Sequence, residues 1–197
     1  MKHLSDKELD EGLKKIPAMS SKVQEVLVLL DQEDADYRQV EDRVMEDANL
    51  TARLLRVANS PMYGLSGQIN TIRDACRVLG LRVTKNLVTT AWVMGAFPGD
   101  PKGRLDTSAL WRHAQGTAAL SVIIANKIRS CQESAFVTGL LHDIGKIVFM
   151  AGFPEHYDAV LDYRDEHNVL LREAEQKILK LDHAELGARL AKSWNLP

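Results

Sequence analysis

The segment GLLHDIGK, residues 139–146, sets an imidazole and a carboxylate side by side at His142 and Asp143. Adjacent residues at the end of a helix project about 100° apart, so the pair can approach one metal ion, or two neighbouring ions, from the same helix. Imidazole and carboxylate together suit iron, manganese or zinc. Gly145 would allow a sharp turn just after the pair, and Lys146 supplies a positive charge that could meet a phosphate oxygen. His113 lies upstream in a stripe with Leu110, Thr117, Leu120 and Ile124, and is expected to face inward with them. His183 falls in the first turn of the last predicted helix. There the helix dipole disfavours a cationic ring and favours a neutral imidazole able to ligate. Each residue also has a plainer reading. A lone inward histidine is more often a hydrogen-bonded core residue than a ligand, and His183 could help cap its helix.

These residues need elements to hold them, and the periodicity is helical throughout, with no alternating strand pattern. The expected fold is therefore all-α. Ser21 with Gln24 has capping-box spacing, followed by Val23, Val26, Leu27 and Leu30 on one face. A second helix turns Val40, Val44 and Met45 inward. Asn49 is expected to cap a third, with Leu50, Leu54 and Val57 buried and Pro61 as its stop. SPMYGLSGQIN reads as a loop. Thr71 with Asp74 starts the next helix, and Gly80 sits where a helix end tolerates left-handed geometry. FPGDPKGRLD, rich in proline and glycine, is the expected subdomain boundary, giving an N-terminal helical part over 1–104 and a second part over 105–197. The second part reads as a helix from Asp106 or Thr107 to about Ile128 and another from about Glu133 to Asp143. Further helices cover 155–167 and 170–181, and a last one, opened by Asp182 with Glu185, carries Leu186, Leu190 and Trp194.

Composition narrows the function classes. Of the 197 residues, 45% are hydrophobic, enough for a real core. A formal net charge of −2 gives no basic field for nucleic acid or anionic membrane, so neither is expected as a partner. The N-terminus lacks the apolar core of a signal peptide, and no apolar stretch reaches the roughly 20 residues of a membrane span. Two isolated cysteines, Cys76 and Cys131, fit reduced thiols in a cytoplasmic protein.

LLHDIGK resembles the signature of the HD superfamily, shared with HD-GYP phosphodiesterases. LTARLLRVANSPMYG (50–64), INTIRDACRVLGLRVTKNLV (69–88), LWRH (110–113) and DHAELGARLAKSWNLP (182–197) together resemble the HDOD family, over about Ile16 to Pro197. The resemblance implies an HD-type helical bundle with an N-terminal helical subdomain, and a role in bacterial signal transduction without established catalysis. By position His113 matches the first histidine of catalytic HD proteins, His142 and Asp143 the pair, and His183 with Gly187 an HxxxG element of HD-GYP enzymes. The later aspartate of catalytic members has no counterpart after His183. HDOD proteins continue past the WxLP element at which this chain stops, so truncation and true loss of the ligand both remain open.

The expected function is a regulatory or protein-interaction module whose partners are signalling proteins, such as two-component or cyclic-dinucleotide regulators. Asn59 and Tyr63 in the loop are candidate partner contacts, and the alternative is that they merely fix the loop. The second function reading is a metal-dependent phosphohydrolase acting on nucleotides or cyclic dinucleotides. It would have His113, His142, Asp143 and His183 around iron, manganese or zinc, and Lys146 neutralising developing charge.

Overall fold

The computed structural model describes residues 3–32, 34–60, 63, 67–97 and 104–194. Among them are eleven α-helices and no strand: α1 (Asp6–Leu13), α2 (Ser21–Leu30), α3 (Tyr37–Met45), α4 (Ala48–Ala58), α5 (Ile72–Ala96), α6 (Thr107–Lys127), α7 (Gln132–Leu141), α8 (Ile144–Gly152), α9 (Pro154–His167), α10 (Leu171–Leu179) and α11 (His183–Ser193). They form two compact units. One gathers residues 1–18, 99–114 and 138–197; the other gathers 19–98 and 115–137. The first helix therefore belongs with the C-terminal helices. Pro61, the expected helix stop, and residues 98–103 of the expected boundary lie outside the described residues.

In the unit built on α2 to α5, Val23, Val26 and Leu30 of α2, Val40 and Val44 of α3, and Leu50, Leu54 and Val57 of α4 are all buried, with each of the three helices packed on α5. Met45 departs from its expected inward place and is 61% exposed, because it ends α3 one residue past the buried Val44. Two caps sit earlier than expected. Ser20, not Ser21, accepts the Val23 N–H, and Asp47, not Asn49, accepts those of Asn49 and Leu50. Thr71 and Asp74 form the anticipated capping box, and Gly80 breaks α5 at φ 80°.

Helix α6 buries Trp111, Ala114, Ala118 and Ala125. The expected inward stripe lies on the other side. Leu120 and Ile124 are about three-fifths exposed and the His113 side chain is 58% exposed. Trp111 and three small alanines face the interior in place of the expected stripe, which a reading by bulky aliphatic spacing passes over.

In the other unit α8 is the central element, packed on α1, α9 and α11, while α9 packs on α10. Ile147, Val148, Phe149, Phe153, Tyr157, Val160, Leu179, Leu186 and Leu190 fill its core. No single described helix is long and apolar enough to cross a membrane.

Candidate metal centre

Every residue of the His-Asp site lies in the unit centred on α8. Helix α7 ends at Leu141, so His142 and Asp143 occupy the turn between α7 and α8 rather than the helix end expected for them. Asp143 is the N-cap residue of α8 by position, yet its side chain caps nothing, which leaves the carboxylate to face its neighbours. His142 Nδ1 lies 2.8 Å from the Gly139 carbonyl. A carbonyl only accepts, so that nitrogen carries a proton, and in the neutral ring Nε2 keeps its lone pair. Nε2 of His142 is 3.1 Å from Nε2 of His113, which α6 delivers edge-on, and the two sit 3.4 and 3.7 Å from Asp143 Oδ2. One donor atom from each of the three residues falls within 4.8 Å of the others. Donors sharing a metal at bond lengths of 2.0–2.2 Å stand roughly 3 Å apart, so the donor types and the spacing fit a divalent transition metal.

His183 opens α11 and approaches from the far side of Asp143, its Nε2 3.4 Å from Oδ1. Asp143 thus has His113, His142 and Lys146 around one oxygen and His183 at the other. Lys146 Nζ donates to Oδ2 at 2.7 Å. Burial pushes the Asp143 carboxyl up, but the Lys146 hydrogen bond and charge, aided by His142 and His183, outweigh it and hold the group below the usual carboxylate range.

Two local features put His183 there. The first is its cap. Asp182 is fully buried, exchanges capping-box hydrogen bonds with Glu185, and accepts from Arg172 Nε at 2.7 Å and Gln176 Nε2 at 3.0 Å. Burial pushes Asp182 up, yet the Glu185 N–H, Arg172 and Gln176 together bring it down to about 2. The second is a backbone contact. Gly145 lies within α8 rather than in a turn, and a Cβ there would stand 1.9 Å from the His183 carbonyl oxygen. Its expected turn role is replaced by close approach. A turn beyond His183, a Cβ on Gly187 would stand 3.2 Å from Ile144 Cγ2.

Sequence reasoning missed Glu175. It is fully buried on α10 and its Oε2 meets His183 Nδ1 at 2.5 Å and the His183 N–H at 3.0 Å; Oε1 accepts from the Tyr157 hydroxyl at 3.1 Å. The available signal was its spacing, since Glu175 stands three and four residues before the buried Ile178 and Leu179.

Asn59 and Tyr63 belong to the other unit. The Asn59 amide is spent on the chain: Nδ2 donates to the carbonyls of Leu55 and Ile69, and Oδ1 accepts the Ile69 N–H. The Tyr63 hydroxyl is buried with no hydrogen-bond partner among the described residues, and burial pushes the phenol up.

Among known proteins, the chain is 27% identical over 184 residues to an uncharacterized protein of Treponema pallidum (strain Nichols), an alignment covering 92% of this chain and 35% of that protein. The chain thus spans about a third of the length of that curated relative. A crystal structure of a phosphohydrolase candidate from Shewanella amazonensis SB2B superposes with a TM-score of 0.79 at 28% identity, covering 96% of this chain and 67% of that one. An HDOD domain protein of unknown function from Geobacter sulfurreducens superposes with a TM-score of 0.78 at 29% identity, covering 98% and 66%. The sequence profile of the HDOD domain matches residues 16–197, nearly the whole chain, and on that match the chain belongs to the HDOD family.

Proposed function

We propose that this chain is a bacterial, cytoplasmic signal-transduction module of the HDOD type. It acts through contacts with signalling proteins, such as two-component or cyclic-dinucleotide regulators, and its His-Asp pocket holds a divalent metal without turning over a phosphoester. The observation that carries this reading is the position of Asp143. It is the one carboxylate in the His113, His142 and Asp143 group, and Lys146 already holds its Oδ2. The nearby carboxylates are committed elsewhere, Asp182 to capping α11 and Glu175 to His183. His113, His142 and Asp143 would hold iron, manganese or zinc, with His183 flanking Asp143. Such an ion, when bound, supplies Lewis acidity.

The test pairs elemental analysis of protein purified without a chelating tag with assays on nucleotide and cyclic-dinucleotide phosphoesters in iron, manganese or zinc. The expected result is near-stoichiometric metal, lost in His142→Ala, and no turnover. Turnover that His142→Ala abolishes would overturn the regulatory reading. It would favour the second one, a metal-dependent phosphohydrolase, for which Lys146 beside the pocket and the likeness to the Shewanella amazonensis protein speak.

A further inference from the structure

We infer that Glu175 is a positioning residue that decides which nitrogen of His183 faces Asp143. This rests on the metal-holding reading of the pocket and concerns a residue outside the ligand group. A fully buried carboxylate is costly unless its oxygens are satisfied, and Glu175 receives three donors: the Tyr157 hydroxyl, the His183 backbone N–H and His183 Nδ1. A carboxylate in that state only accepts, so Nδ1 must carry a proton. A neutral His183 ring then has its lone pair on Nε2, the atom 3.4 Å from Asp143 Oδ1. Tyr157 is fixed in turn, stacked on Phe149 of α8 with ring centroids 5.2 Å apart. Burial and then the Glu175 charge push its phenol up, which keeps it a donor. The chain Tyr157, Glu175, His183 therefore orients a ring from behind, as carboxylates orient metal-bound histidines.

The test has two readouts on the full chain. Long-range ¹H–¹⁵N spectra of metal-free protein should show His183 protonated at Nδ1 and bare at Nε2, with that preference weakened in Glu175→Gln. Cobalt(II) titration should show affinity falling by up to about tenfold in Glu175→Gln, the low end for such outer partners, because His183 flanks Asp143 rather than joining the three ligands. Tyr157→Phe, which keeps the carboxylate and removes one of its donors, should move affinity the same way by less. A bare Nδ1 or a doubly protonated ring in the native protein overturns the inference, whatever the variants do. So does unchanged cobalt affinity in both variants when the native protein binds it. If the native protein binds no cobalt while the tautomer follows Glu175 as expected, the metal reading fails and the positioning role stands.

Discussion

The backbone of Gly145 lies directly against the carbonyl of His183, so close that a single added methyl carbon would sit 1.9 Å from the oxygen. This contact joins α8, which follows the His-Asp pair, to the first residue of α11. It converts two motifs far apart in sequence into neighbours across one carboxylate.

Gly145→Ala should therefore be severe. The obstacle is backbone, which cannot rotate away, so the expected loss lies at or above the usual ~3 kcal/mol ceiling for overpacking. Gly187→Ala meets the Ile144 side chain at 3.2 Å and should cost less. Gly116 on α6 is exposed with nothing within 4 Å of its Cβ position, so Gly116→Ala should stabilise by roughly 0.5–1 kcal/mol through helix propensity. Urea unfolding of the three variants checks the order, and an equal loss for all three would contradict it.

Asp182 links the same helix to pH. Its carboxyl is held at about 2 against an ordinary 3.8, because the Glu185 N–H, Arg172 and Gln176 outweigh burial. A folded-state value below the unfolded one means stability present above pH ~4 and lost as pH falls toward 2. The contribution is on the order of 2 kcal/mol. Asp182→Asn should lower stability at neutral pH and flatten the decline between about pH 4 and 2. Unfolding free energies at several pH values measure both effects, and an unchanged acid decline would rule out Asp182 as a source.

The helices were legible in sequence because apolar spacing and caps agree along most of the chain, as at Thr71 and Asp74 and at Asp182 and Glu185. The orientation of α6 was not. It carries apolar residues on both faces, and burial fell to Ala114, Ala118 and Ala125, which a search for bulky stripes passes over. Identity and spacing pointed to the His-Asp pair and His183, but not to the turn that holds the pair or to the backbone contact at Gly145, since neither leaves a periodic signal. Glu175 escaped because its spacing to Ile178 and Leu179 marks a buried face but not its partners, Tyr157 and His183, which come from two other helices. The Asn59 staple likewise depends on a partner ten residues away, at Ile69.

Lys146 gives a prediction opposite in sign to the ligand deletions. Its ammonium occupies Asp143 Oδ2 at 2.7 Å and adds positive charge beside the place a cation would take. Lys146→Met should therefore raise metal affinity, whereas His113→Ala and His142→Ala should lower it. A charge-assisted hydrogen bond is worth about 1.5–3 kcal/mol, so relief of the competition corresponds to roughly tenfold or more. Calorimetric titration of manganese(II) into each protein reads the affinity.

The outward stripe of α6 supplies the last test, because it separates apolar residues that build the core from those that do not. Leu120, Ile123 and Ile124 are 56–61% exposed, while Ala118 on the same helix is fully buried. Ile124→Lys removes no packed neighbour and should leave unfolding free energy within about 0.5 kcal/mol of the parent. Ala118→Leu adds three carbons to the closed side of the same helix and should cost about 1–3 kcal/mol. If Ile124→Lys proved the more damaging of the two in chemical unfolding, the Ala118 face of α6 would not be the packed one.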